Sequence, residues 1–139
     1  MQLSILYSEV NQLIASNMEL PISITYGGDG MLSVMYRYKT NVFLIGEITK
    51  DISINLVIDS VTPRAVTLRT DNGGVVDAII SNVLQSFVSM KSINFIEISG
   101  PYIQVTLEKI PSLIPFLKLV NLKSITPTPS DIGISVDII

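Results

Sequence analysis

Apolar and polar residues alternate along most of this chain, and a period of two is the signature of half-buried β-strands. The clearest run is the last, where Ile132, Ile134, Val136 and Ile138 alternate with Gly133, Ser135 and Asp137. Ile52, Ile54, Leu56 and Ile58 likewise face one way, with Ser53 and Asn55 facing the other. Ile22, Ile24 and Tyr26 alternate with Ser23 and Thr25, and Leu32, Val34, Tyr36 and Tyr38 continue the pattern. Gly27-Gly28-Asp29-Gly30 separates these two runs. It suits a hairpin, because glycine accepts positive φ without a Cβ clash. Further strands are expected over residues 42–48, 65–69, 93–98, 103–107 and 119–125. Thr62-Pro63-Arg64 and Gly100-Pro101 turn the chain, and Thr126-Pro127-Thr128-Pro129-Ser130 is a stiff loop.

Two stretches break the alternation. Leu3, Leu6, Val10, Leu13 and Ile14 make one apolar stripe, which predicts a helix over residues 2–17, closed by Pro21. Asp71-Asn72-Gly73-Gly74 opens a second helix over residues 74–90. Val75, Val76, Ile79, Ile80, Val83, Leu84, Phe87 and Val88 recur there as adjacent pairs every four residues. Pro111 and Pro115 limit residues 110–118 to a short turn of helix. Short turns between consecutive strands imply antiparallel pairing. The expected class is α+β: a curved antiparallel meander sheet packed on one long amphipathic helix, with an N-terminal helix.

The length of 139 residues makes residues 1–139 a single domain. Cys and His are both absent. That excludes disulfides, thiolate nucleophiles and the commonest general base and metal ligand. Charged residues make up 15%, against about 25% in ordinary domains, and apolar residues 47%. The cations Arg37, Lys39, Lys50, Arg64, Arg69, Lys91, Lys109, Lys118 and Lys123 are scattered singly on a chain of net charge -3. Nucleic acid is not an expected partner, since its binding needs clustered cations. No apolar run approaches the roughly 20 residues of a membrane span, and the first residues lack a basic leader region. The default expectation is therefore cytoplasmic.

Few residues offer chemistry. Asp71-Asn72-Gly73-Gly74-Val75-Val76-Asp77 has carboxylates for calcium and free amides for an anion, but its spacing is that of a helix cap and not of a calcium loop. Glu47 with Asp51, or Glu97 with Glu108, are the acid pairs that strand pairing could unite. Tyr26, Tyr36, Tyr38 and Tyr102 carry hydroxyls, yet strand tyrosines more often pack against cross-strand neighbours. No catalytic residue, metal site or cofactor is expected, so the chain is read as no enzyme. Met18, Met31, Met35 and Met90, with Phe43, Phe87, Phe95 and Phe116, are soft or aromatic side chains able to line a greasy pocket. Residues 113–122 hold seven apolar residues, and Lys118 within them and Lys123 beside them are the only charges. This segment fits a lid, a subunit contact or a peripheral membrane contact.

The order of elements resembles one half of a tubular lipid-binding (TULIP) superfamily domain. The likeness rests on Ile52-Ser53-Ile54-Asn55-Leu56-Val57-Ile58 followed by Val61-Thr62-Pro63-Arg64-Ala65-Val66-Thr67-Leu68, and on the helix from Val75 to Val88. Ile103-Gln104-Val105-Thr106-Leu107-Glu108-Lys109-Ile110-Pro111-Ser112-Leu113 and the closing strand complete it. The resemblance implies a long helix wrapped in a curved sheet around a space for lipid chains. The expected function is non-catalytic binding of a lipid or other hydrophobic ligand between sheet and helix. Val76, Ile80, Val83, Phe87, Phe95 and Phe116 are the expected contacts. The alternative is a structural or assembly module that forms a homo-oligomer through apolar surface.

Overall fold

The computed structural model describes residues 1–18, 22–90 and 92–139. Pro21, expected to close the first helix, lies outside them. The chain runs β1 (Gln2–Ile5), α1 (Tyr7–Met18), β2 (Ile22–Gly28), β3 (Met31–Val42), β4 (Gly46–Thr62), β5 (Ala65–Thr70) and α2 (Gly74–Met90). It continues as β6 (Ile96–Ser99), β7 (Tyr102–Thr106), α3 (Ile114–Leu117), β8 (Val120–Pro127) and β9 (Ile132–Ile138), with 3-10 turns at Leu107–Lys109 and Pro111–Leu113.

The expected single meander on one long amphipathic helix is corrected. Among the described residues strands predominate over helices, and the helices are short. The strands form two antiparallel sheets, one of order β2-β3-β4-β5-β7-β6 and one of order β1-β9-β8. Alternation tells which face of a strand is buried but not which strand it pairs with.

The second correction is at the start. Residues 2–5 form a strand against β9, with Gln2 opposite Ser135 and Ile5 opposite Ile132. Helix α1 begins only after Leu6, whose N–H is accepted by Glu9 Oε1 at 2.9 Å. This is the glutamate half of a capping box, and it fixes the helix start.

The third concerns residues 42–48, expected as one strand. The chain reverses there: Val42 pairs with Gly46, and Phe43, Leu44 and Ile45 form the tip of a long hairpin. No glycine or proline stands inside the tip to mark the turn; Leu44 itself takes the left-handed conformation, at φ 71°. The expected stiff loop also shifts. Thr126 and Pro127 belong to β8, opposite Gly133 and Ile132, and only residues 128–131 turn.

The β2–β3 hairpin turns as its glycines require, with Asp29 at φ 52° and Gly30 at φ 74°. A Cβ on Gly27 would come within 3.1 Å of the Leu32 backbone, so a side chain there crowds the neighbouring strand.

Two buried clusters join the sheets. Leu32, Ile54, Leu56 and Ile103 of the large sheet pack with Ile132 of the small one. Val66 of the large sheet packs with Val120, Leu122 and Val136 of the small one. Residues 113–122 are split: Leu117, Val120 and Leu122 are buried, while Ile114, Phe116 and Leu119 are exposed.

The β8–β9 turn is tied to the N-terminus. The Tyr7 hydroxyl donates to the Thr128 carbonyl at 2.6 Å. The hydroxyls of Ser4 and Thr128 both donate to the Asp131 carboxylate. These two donors, Ser4 foremost, hold Asp131 below the usual carboxylate range. A lowered carboxyl stabilises the fold above its unfolded value, and that contribution is lost as pH falls through the folded one. The Asp131→Asn variant should therefore lose less melting temperature than the parent on titration from about pH 5 to about pH 2, measured by circular dichroism.

Candidate functional site

A cavity of about 300 Å³ lies between the large sheet and the two longer helices. Helix α1 contributes Val10, Leu13 and Ile14, and α2 contributes Leu84 and Val88. The floor comes from alternate residues of the sheet: Ile22 and Ile24 of β2, Val34 of β3, Ile54 and Leu56 of β4, Leu68 of β5, Ile96 and Ile98 of β6, and Ile103 and Val105 of β7. Ile93, Phe95, Leu107, Ile110 and Leu113 close the remaining sides. Every one of these side chains is apolar. The period of two that aims Ile54 and Leu56 at this space sends Ser53 outward.

A second hollow, of about 380 Å³, is lined by Gln85, Val88 and Ser89 of α2 and by residues 96–99 of β6. It shares Val88, Ile96 and Ile98 with the first, so the two adjoin. Gln85, Ser89, Glu97 and Ser99 bring polar side chains to this side, in contrast to the wholly apolar lining of the first cavity.

The wall formed by α1 and β2 is held by one side chain. Asn11 Oδ1 accepts from the Ile24 N–H at 2.6 Å, and Asn11 Nδ2 donates to the Ile24 carbonyl at 3.2 Å. The amide thus replaces the strand that β2 lacks at the sheet edge. Asn11→Ala leaves half-buried backbone groups unpaired, at about 1–3 kcal/mol. We expect the melting temperature to drop by roughly 5–10 °C in a calorimetric scan.

Of the expected contacts, Phe95 lines the cavity. Ile80 packs against the adjoining core cluster and is not part of the lining. Phe116 is 40% exposed and sits on the surface, away from the lining. The side chains of Val76, Val83, Phe87, Met18 and Met90 lie outside the described residues. Phe43 is at the hairpin tip, and Met31 and Met35 are not in the lining. Missing from the expectation were the contributions of α1 and β2. The stripe Val10, Leu13 and Ile14 was visible as an apolar face, but nothing in the sequence says what that face meets.

Several polar candidates have partners within the fold. Glu47 stands opposite Asn41, and Asp51 opposite Arg37, which it meets at 2.9 Å. The Arg37 guanidinium holds the Asp51 carboxyl below its usual range. Glu97 lies opposite Gln104 and does not pair with Glu108. The Tyr26 hydroxyl accepts from the Gly30 N–H at 3.0 Å. Asn72 pairs with both backbone groups of Asn55, and its N–H donates to Asp77 Oδ1 at 3.1 Å across the start of α2. The Asp-Asn-Gly-Gly segment therefore joins α2 to β4. Among the described residues, no three carboxylates gather as a metal site. Among the described residues no helix is long and apolar enough to cross a membrane, which says nothing of strands.

Comparison with known proteins returns no match to any family model, curated protein or solved structure.

Proposed function

We propose that this chain is a non-catalytic domain that holds a hydrophobic ligand, with a lipid acyl chain as the fitting class. The observation that carries the reading is the cavity of about 300 Å³ with an entirely apolar lining. That volume reaches the lower end of the range of about 300–1,000 Å³ for ligand sites. It is about twice that of an engineered apolar cavity that stays dry and admits benzene. Left empty, a hole of this size forfeits contacts worth on the order of 5–10 kcal/mol, comparable to the whole stability of a domain. Water offers little relief, because the walls provide no hydrogen-bonding partners. An amphiphile fills the space with its tail and leaves its polar end at Gln85, Ser89, Glu97 and Ser99, where the adjoining hollow begins. The reading rests on this cavity and does not require the tubular arrangement that the TULIP resemblance implied.

Ligand linkage tests it. At a free ligand concentration about a hundred times Kd, binding adds about 2.7 kcal/mol. For a chain of this size that is a rise of roughly 10 °C in melting temperature. Palmitate, oleate and phosphatidylcholine are the probes. A melting temperature indifferent to all of them contradicts the proposal.

A second reading, self-association, has one observation of its own. Leu119, Ile138 and Ile139 are 64%, 69% and 68% exposed at one end of the small sheet, where the Ile139 N–H donates to the Leu119 carbonyl. Sedimentation across a wide concentration range tests it, and a strict monomer throughout removes it.

A further inference from the structure

The β3–β4 hairpin extends beyond the rest of its sheet. Strand β2 pairs with β3 only as far as Tyr36, and β5 pairs with β4 only from Leu56 onward. Six register pairs, from Arg37–Asp51 to Val42–Gly46, have no third strand beside them among the described residues. At about 3.3 Å per residue they form an arm roughly 20 Å long. The Arg37–Asp51 ion pair clips its base.

The arm ends in Phe43, Leu44 and Ile45, which are 89%, 91% and 71% exposed. No other stretch of the described chain presents three consecutive bulky apolar residues so fully to solvent. Leu44 holds a left-handed backbone, a position that hairpin loops ordinarily give to glycine or asparagine. A large apolar side chain thus occupies the place where a small residue would relieve strain.

From this geometry we infer that the arm is a membrane anchor whose Phe43-Leu44-Ile45 tip inserts into the surface of a phospholipid bilayer. Area separates this occupant from a protein partner. Even a large aromatic side chain buries only about 150–250 Å², and three tip residues fall short of the roughly 800 Å² per partner of a stable interface. A bilayer needs no complementary surface. Each side chain that enters hydrocarbon contributes independently, by on the order of ten- to a hundredfold in partition. Charge agrees: Arg37, Lys39 and Lys50 against Glu47 and Asp51 give the arm a net charge of +1, on a chain of net -3. The arm therefore meets an anionic headgroup surface without repulsion. None of the three tip residues lines the cavity, so this inference is independent of the ligand proposal.

The test is flotation with phosphatidylcholine vesicles. The parent protein should float with them, and the triple variant Phe43→Ser, Leu44→Ser, Ile45→Ser should lose at least about a hundredfold in partition. Its melting temperature should match that of the parent, because the tip belongs to neither buried cluster. The chain has no Trp, so Leu44→Trp provides a single emitter. Its emission should shift to the blue on vesicles and be quenched by brominated acyl chains. The inference is overturned if the parent does not float, or if the triple variant floats equally well. It is also overturned if serines at the tip only convert a dimer to a monomer. Val105→Phe, which narrows the cavity, should leave flotation intact; its loss would route vesicle binding through the cavity and remove the tip from the account.

Discussion

Val136→Asp should abolish the folded state. Val136 is 0% exposed, on the central strand of the small sheet, and packs with Val66, Val120 and Leu122 where the two sheets meet. A carboxylate there is cut off from water, and an isolated buried charge costs more than the roughly 5–15 kcal/mol that keeps a domain folded. The expected far-ultraviolet melt has no cooperative transition. Val136→Ala is the graded control. It loses about 0.8 kcal/mol per buried carbon plus a small cavity term, roughly 2 kcal/mol in all, and keeps its cooperative melt at lower temperature. A cooperative melt in Val136→Asp would mean that the small sheet does not dock on the large one as described.

Val105→Phe should act in the opposite direction. Enlarging a core side chain ordinarily costs about 1–3 kcal/mol, because well-packed interiors have no spare room. Val105 lines an apolar hollow of about 300 Å³, so a ring at this position has open space to enter. Filling part of the hollow recovers about 24 cal/mol per Å³. We expect the free protein to gain on the order of 1–2 kcal/mol, with a melting temperature higher by roughly 5 °C. The same substitution narrows the space for a ligand, so fatty acids should raise the melting temperature less than in the parent. Stabilisation together with a reduced ligand response distinguishes a binding cavity from a loosely packed core. A destabilised Val105→Phe that still responds to fatty acid would place the ligand elsewhere.

The elements that sequence made legible are those whose signals are local. Strand β9 spans Ile132–Ile138 as the alternation predicts, with Ile132 and Val136 buried and only the last apolar position, Ile138, exposed. The glycines before Met31 turn where expected, and α2 spans Gly74–Met90 behind its Asp-Asn-Gly-Gly turn. What escaped depends on distant partners. Leu3 fits a helical stripe with Leu6 and Val10 as well as it fits a strand, and only β9, 130 residues onward, decides between them. The separation into two sheets is hidden for the same reason, since alternation carries no information about pairing. The hairpin tip was misread because Phe43, Leu44 and Ile45 look like a strand interior and the turn uses a leucine in place of glycine. For the site, an apolar lining was foreseeable from the composition and Phe95 from its type. The roles of Val10, Leu13, Ile22 and Ile110 were not, because an apolar side chain that lines a cavity has the same sequence signal as one that fills a core.

The central claim is that the space between the large sheet and the helices carries a hydrophobic ligand. Native mass spectrometry of protein purified without detergent tests it most directly. The account predicts a bound species of lipid size, retained under gentle ionisation, released on denaturation and depleted in Val105→Phe. A bare chain that also takes up no palmitate or phosphatidylcholine when these are added would contradict it.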